Sequence, residues 1–212
     1  IPLVGTKLFV PPLRSTFVSR PRMGARLGNE AKLTLVEAPA GFGKTTALSS
    51  WVSAARADGR SVGWLSCEAG EQKAALFWSY VVTTLQAIES TVGAALLPLL
   101  DSGQPPVEAA LATLVNDLTA LPHDLDLVLD DFHLADSPEV AAGLQYLLEH
   151  LPPNVRIVVS TRVDPALPLA RMRARGELLE VRAEDLRFTL EEVTAYLRLA
   201  TGLELDTRAG ME

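Results

Sequence analysis

Five short apolar runs punctuate this chain of 212 residues: LTLVEA (33–38), SVGWLSC (61–67), LDLVLDDF (125–132), VRIVVSTR (155–162) and ELLEVR (177–182). Runs of this length, rich in aliphatic and β-branched residues and bounded by turn signals, read as buried strands. Helix-forming stretches lie between them, and strands that alternate with helices pair in parallel through crossovers. The pattern therefore predicts an α/β fold with a five-stranded, mostly parallel sheet and helices on both faces. Residues 44–57 form a helix stopped by Asp58-Gly59, and further helices fall at about 73–88 and, after Pro105-Pro106, at 107–121. Ser137 as N-cap, Pro138 and Glu139 open another. A short helix is expected in LPLARMRARG, and Thr189-Leu190-Glu191-Glu192 is a capping box that starts the last one, through about 199. Prolines and arginines crowd residues 1–31, which predicts an extended lead-in lying across the domain.

The first junction carries the chemistry. After LTLVE comes Ala38-Pro39-Ala40-Gly41-Phe42-Gly43-Lys44-Thr45-Thr46, where a strand ends and a helix begins. This fits the phosphate-binding pattern G-x-x-x-x-G-K-[ST], with alanine at the first glycine position. Alanine is tolerable there if it keeps a negative φ. Backbone N–H groups around Gly41 and Gly43 can close on phosphate oxygens, and the helix points its positive end at the same place. Lys44 supplies a point charge and, being at an empty loop, is expected to face solvent. Thr45 supplies a hydroxyl for Mg²⁺. A glycine-rich turn with a solvated lysine is the plainer alternative.

Such a loop needs an acid at the tip of a neighbouring strand. In LDLVLDD, Asp130 would stand at a strand's carboxyl end, where α/β sheets bind ligands, and is assigned to Mg²⁺. Asp131 is placed to orient or deprotonate water, the alternative being a solvated acid at a strand end. Arg162, closing VRIVVSTR, can contact a γ-phosphate or simply pair with a surface carboxylate. His133 reads as a loop residue. TRVD (161–164) faintly resembles a guanine-reading motif, but Asp130-Asp131-Phe132-His133 lacks the glycine that a GTPase requires, so adenine is preferred.

Composition narrows the function. A 48% hydrophobic, 21% charged chain is an ordinary globular protein. Its net charge of -7 argues against coating nucleic acid, although residues 1–32 hold Lys7, Arg14, Arg20, Arg22, Arg26 and Lys32 against Glu30 alone. Residues 123–150 hold seven acids and no Lys or Arg. Cys67 is single, which excludes an intrachain disulfide and favours a cytoplasmic setting with a buried structural thiol. No apolar run approaches the roughly 20 residues of a membrane span. The start at Ile1 and the polar end DTRAGME suggest a piece of something longer.

Taken in order, KLFVPPLRSTFVSRPRM, LTLVEAPAGFGKTTALSSW, LVLDDFHLADSPEV and VVSTRVDPALPLARMRARGELLEVRAEDLRFTLEEV make the chain resemble the nucleotide-binding region of MalT-like regulators. These are ATP-dependent LuxR-family transcription activators among the signal-transduction ATPases with numerous domains (STAND). The resemblance implies a P-loop NTPase of the additional-strand type, with ATP or ADP and Mg²⁺ as ligands. It assigns Pro39, Ala40, Gly41, Phe42, Gly43, Lys44, Thr45 and Thr46 to the phosphates, Thr45 and Asp130 to the metal, and Asp131 and Arg162 to catalysis. Arg20-Pro21-Arg22 would lie near adenine and ribose. It further implies a lead-in at 1–31, an NTPase core at 32–188 and the start of a following helical segment at 189–212. The implied function is a slowly hydrolysing switch whose nucleotide state controls homo-oligomer assembly, with DNA bound only through a C-terminal domain absent from this chain. The alternatives are a small-molecule kinase using the same loop and an interaction module with a degenerate site. CEAGEQ (67–72) departs from the expected acid-rich turn and receives no role.

Overall fold

Strand β1 (Leu33–Glu37), β2 (Ser61–Ser66), β3 (Leu125–Asp130), β4 (Val155–Thr161) and β5 (Leu178–Val181) follow the five apolar runs. They come from a computed structural model that describes residues 3–29, 31–103 and 108–201. The strands pair in the order β2-β3-β4-β1-β5, and every pairing is parallel. Thus β4 lies between β1 and β3, so the acid-bearing strand is not the immediate neighbour of the loop-bearing one. The separation arises because β1 and β3 both pair with β4, at Leu35–Val159 and Leu129–Val159 respectively.

Period-two alternation explains both faces of the sheet. Leu33 and Leu35 of β1, Leu125, Leu127 and Leu129 of β3, and Val155, Ile157 and Val159 of β4 join one buried cluster. Helices α3 (Ala74–Gln86), α5 (Glu108–Thr119) and α6 (Pro138–His150) complete it. Val36, Val128 and Val158 join a second cluster on the opposite face, under α1 (Pro21–Leu27) and α2 (Lys44–Ala57). Asp126 and Asp130 share the face of Val128 on β3, and their partners belong to this second side.

Helix α1 corrects the expectation of a lead-in extended throughout. Pro21 sits in the first turn, where its missing N–H costs nothing, and Met23 and Leu27 at i, i+4 are buried on the α2 side. Short helices α4 (Leu97–Asp101), α7 (Leu169–Ala174) and α8 (Ala183–Leu186) fill connections, and α9 (Leu190–Thr201) follows. Both predicted caps form. Ser137 Oγ accepts from the Val140 N–H, and Thr189 and Glu192 exchange side-chain-to-backbone bonds in a full capping box. The predicted start of a helix at 107 lies outside the described residues.

Two ionic ties hold the lead-in down. Asp126 is fully buried and receives Arg156 on both carboxylate oxygens at 2.7 and 2.9 Å, with Arg60 at 2.9 Å. Arg156 also donates to the Asn29 carbonyl at 2.6 Å, so this cluster fastens the end of the lead-in to the sheet. At the other end, Lys7 bonds buried Glu71, whose second oxygen accepts the Glu68 N–H at 3.0 Å. The turn CEAGEQ therefore anchors the lead-in. Among the described residues, no helix is long and apolar enough to cross a membrane.

Candidate functional site

The loop between β1 and α2 turns on two glycines with positive φ, Gly41 at +84° and Gly43 at +78°. A Cβ at either would meet nothing within 4 Å. Backbone handedness, not crowding, demands glycine there. Asp131 is the one non-glycine with positive φ among the described residues, so Ala38 keeps the negative φ that its Cβ requires.

Lys44 departs from expectation. It is only 6% exposed, and its Nζ donates to the Ala38 carbonyl at 2.8 Å and the Pro39 carbonyl at 3.3 Å. The ammonium folds back because the loop's own carbonyls are the nearest acceptors under the first turn of α2. Burial lowers its pKa, against the opposing pull of Asp131 and Asp130.

Thr45 and Asp130 meet across the inserted strand: Thr45 Oγ1 donates to Asp130 Oδ2 at 2.8 Å. Ser160, buried in β4, completes the bridge. Its hydroxyl donates to Asp130 Oδ1 in a very short bond and accepts the Asp131 N–H at 2.9 Å. Burial raises the pKa of Asp130, and the Ser160 and Thr45 hydroxyls oppose that rise. The role of Ser160 escaped the sequence, where it was simply the end of a strand.

Asp131 follows β3 at φ +53°, opening the 3₁₀ turn Phe132–Leu134. His133 lies in that turn, with Nδ1 3.9 Å from Asp131 Oδ1. Both ring nitrogens of His133 are buried without a hydrogen-bond partner, and burial lowers its pKa. Arg162 stands one residue past β4, exposed, with no ion pair among the described residues. Its charge reaches Lys44 and His133, lowering the pKa of each.

Beside the loop opens a cavity of about 610 Å³. Gly41, Phe42, Gly43 and Thr46 close one end, and Phe17, Arg20, Trp51, Phe188 and Tyr196 line the rest. Arg22 does not reach it. Arg22 is held by Glu192 and by the carbonyls of Asp185 and Arg187. Phe188, Tyr196 and Glu192 had no role in the sequence reading, where only the capping box drew notice. Pro39 and Ala40 are exposed on the loop's crest.

A parallel sheet with a strand inserted between the loop strand and the acid strand, a glycine loop closing on a helix N-terminus, and a Thr–Asp pair beside a buried lysine define a P-loop NTPase domain of the additional-strand type. No family model matches the chain. It nevertheless belongs to the family of the HTH-type transcriptional regulator MalT. It is 32% identical over 209 residues to that regulator from Klebsiella pneumoniae (strain 342), covering 96% of this chain and 23% of the relative. With the regulator from Cronobacter sakazakii it is 31% identical over 207 residues, covering 95% and 22%. The chain thus spans less than a quarter of the length of these relatives. Among solved structures, a chain of Drosophila ORC bound to AT-rich DNA and Cdc6 is 15% identical with TM-score 0.48, covering 82% of this chain and 56% of that one. AMPPCP-bound DnaA from Aquifex aeolicus is 14% identical with TM-score 0.41, covering 85% and 48%. The fold class stands on the strand order and register.

Proposed function

We propose that this domain binds Mg·ATP, hydrolyses it slowly and serves as the nucleotide switch of a cytoplasmic transcriptional activator. The observation that carries the proposal is the Thr45–Asp130–Ser160 bridge lying against an open glycine loop. The residues fit the ligands. Thr45 and Asp130 offer two hard oxygens side by side, as Mg²⁺ prefers, and a Cβ on Gly41 or Gly43 would meet no atom within 4 Å. Among the described residues Lys44 Nζ bonds the neutral Ala38 and Pro39 carbonyls, which a phosphate can replace.

Pro39 to Thr46 surround the phosphates, with Lys44 directed at the β- and γ-oxygens and Arg162 at the γ-phosphate. Mg²⁺, when bound by Thr45 and Asp130, offsets negative charge on the phosphates. Asp131 orients water and takes its proton. The five aromatic side chains of the adjoining cavity, Phe17, Phe42, Trp51, Phe188 and Tyr196, suit a planar base, with Arg20 in its wall and Arg22 behind it. In this organisation residues 1–31 cover the nucleotide, 32–188 form the core and 189 onward leads to the rest of the regulator. Bound nucleotide would favour self-assembly, hydrolysis would reset it, and DNA would be read by a part outside this chain.

Asp131→Asn tests the reading. It should keep Mg·ATP affinity while phosphate release falls by about 10²–10⁴-fold, the usual cost of losing a general base. Equal turnover in the variant would make Asp131 a solvated strand-end acid. Phosphate transfer to a small-molecule acceptor in place of water would favour the kinase alternative.

A further inference from the structure

Helix α9 is attached in an unusual way. Its one buried residue is Glu192, 8% exposed, while Leu190, Val193, Leu197 and Leu199 all stand in solvent. An amphipathic helix normally docks through its apolar stripe. This one docks through a carboxylate.

Every oxygen of that carboxylate is engaged. Oε1 accepts from Arg22 Nε at 2.8 Å, and Oε2 accepts from Arg22 Nη2 at 2.9 Å, Arg20 Nε at 3.2 Å and the Thr189 N–H at 3.1 Å. Arg20 is thereby fixed at its Nε. Its Nη2 donates to the Leu186 and Arg187 carbonyls, and its guanidinium lies 4.9 Å from the centre of the Phe188 ring. Arg20, Phe188 and Tyr196 all face the cavity, so one acid on α9 sets the far wall of that cavity. The two arginines hold the Glu192 carboxyl ionised, with Arg22 the larger influence.

From this geometry we infer that Glu192 is a positioning residue for the base end of the nucleotide site, and that it couples nucleotide binding to the docking of α9. The inference rests on the reading of the cavity as the base pocket. Glu192 holds Arg20 over Phe188, and a base seated against that wall holds α9 down in return. Such coupling is reciprocal: α9 docking strengthens base binding by the same factor that base binding strengthens docking. The bonds of Glu192 and Arg20 run to Arg22, Leu186, Arg187 and Thr189 and not to the phosphate loop, so the effect belongs to the base and not to the phosphates.

The test compares Mg·ATP with Mg·tripolyphosphate, which has no base, by calorimetry on the wild-type chain, Glu192→Ala and Glu192→Gln. Amide exchange of α9 is followed with and without ATP. Glu192→Ala should weaken ATP by about tenfold while tripolyphosphate changes by less than about twofold. ATP should slow α9 exchange by about tenfold in the wild type and not in Glu192→Ala. Glu192→Gln keeps the cap and neutral acceptors, should fall between the two, and preserves the test if the alanine variant does not fold. Wild-type ATP affinity in both variants would overturn the inference alone, as would equal losses of ATP and tripolyphosphate. A wild-type chain that binds neither ligand would overturn the nucleotide reading and this inference with it.

Discussion

With its ammonium folded under the loop, Lys44 already holds two carbonyl oxygens in the place where the proposed phosphate would bind. The Ala38 and Pro39 carbonyls stabilise the charge that burial penalises, and a phosphate offers the same donor a stronger, charged acceptor. Lys44→Ala should weaken ATP binding by at least about tenfold, since a hydrogen bond to a charged group contributes about 1.5–3 kcal/mol. The melting temperature should shift little, because the substitution removes a buried charge along with its two bonds. Calorimetry and a thermal melt check both, and an unchanged ATP affinity would remove Lys44 from the phosphate-binding set. Geometry that lies in a local pattern was legible: the positive φ of Gly41 and Gly43 follows from one spacing, and Thr45 meets Asp130 at the end of an apolar run. Ser160, Glu71, Asp126 and Glu192 were not. Their partners lie far along the chain, Glu192 meeting Arg20 across 172 positions, and no local spacing marks such a pair.

Among elements, the five strands and the longer helices were legible because their apolar periodicity and caps are contained within each segment. Helix α1 and the short helices α4 and α8 were not, since segments this brief form only against a neighbour that packs on them. Strand order was equally hidden: pairing depends on contacts between strands that the sequence sets far apart. Helix α9 shows the combination, with a readable cap and an unreadable attachment. That attachment gives α9 a pH dependence. Arg22, with help from the Thr189 N–H and Arg20, holds the Glu192 carboxyl down to about 2, against an ordinary 4.5. A depressed carboxyl pKa means that the unfolded chain binds more protons, so the stabilisation is complete above pH 4.5 and is lost as pH falls toward 2. Hydrogen exchange should show α9 protection declining through that window. In Glu192→Gln the decline should be absent, and a parallel decline in the variant would trace the effect to other acids.

At the scale of the whole molecule, the basic lead-in is not a free basic surface. Arg20 and Arg22 pair with Glu192, Arg26 with Asp185, Lys32 with Glu177 and Lys7 with Glu71. The charge asymmetry visible along the sequence is largely offset in space, with exposed Arg14 the exception, which leaves the net -7 to govern what approaches. Duplex DNA should therefore bind weakly even in about 50 mM salt, where phosphate attraction is strong. Titration of labelled duplex, with and without ATP, checks this, and sub-micromolar sequence-selective binding would contradict it. The inserted β4 has a further consequence for how the molecule is made. During synthesis the glycine loop emerges early, on β1, and Asp130 emerges later, on β3. These two strands have no pairing with each other, and the strand that joins them carries Ser160 and is made after both. Until residues 155–161 leave the ribosome, the loop and its acid have no common frame. On the proposed function, ATP would therefore act on the nascent chain only as a late ligand, fastening a sheet already closed and giving no help to its earlier half.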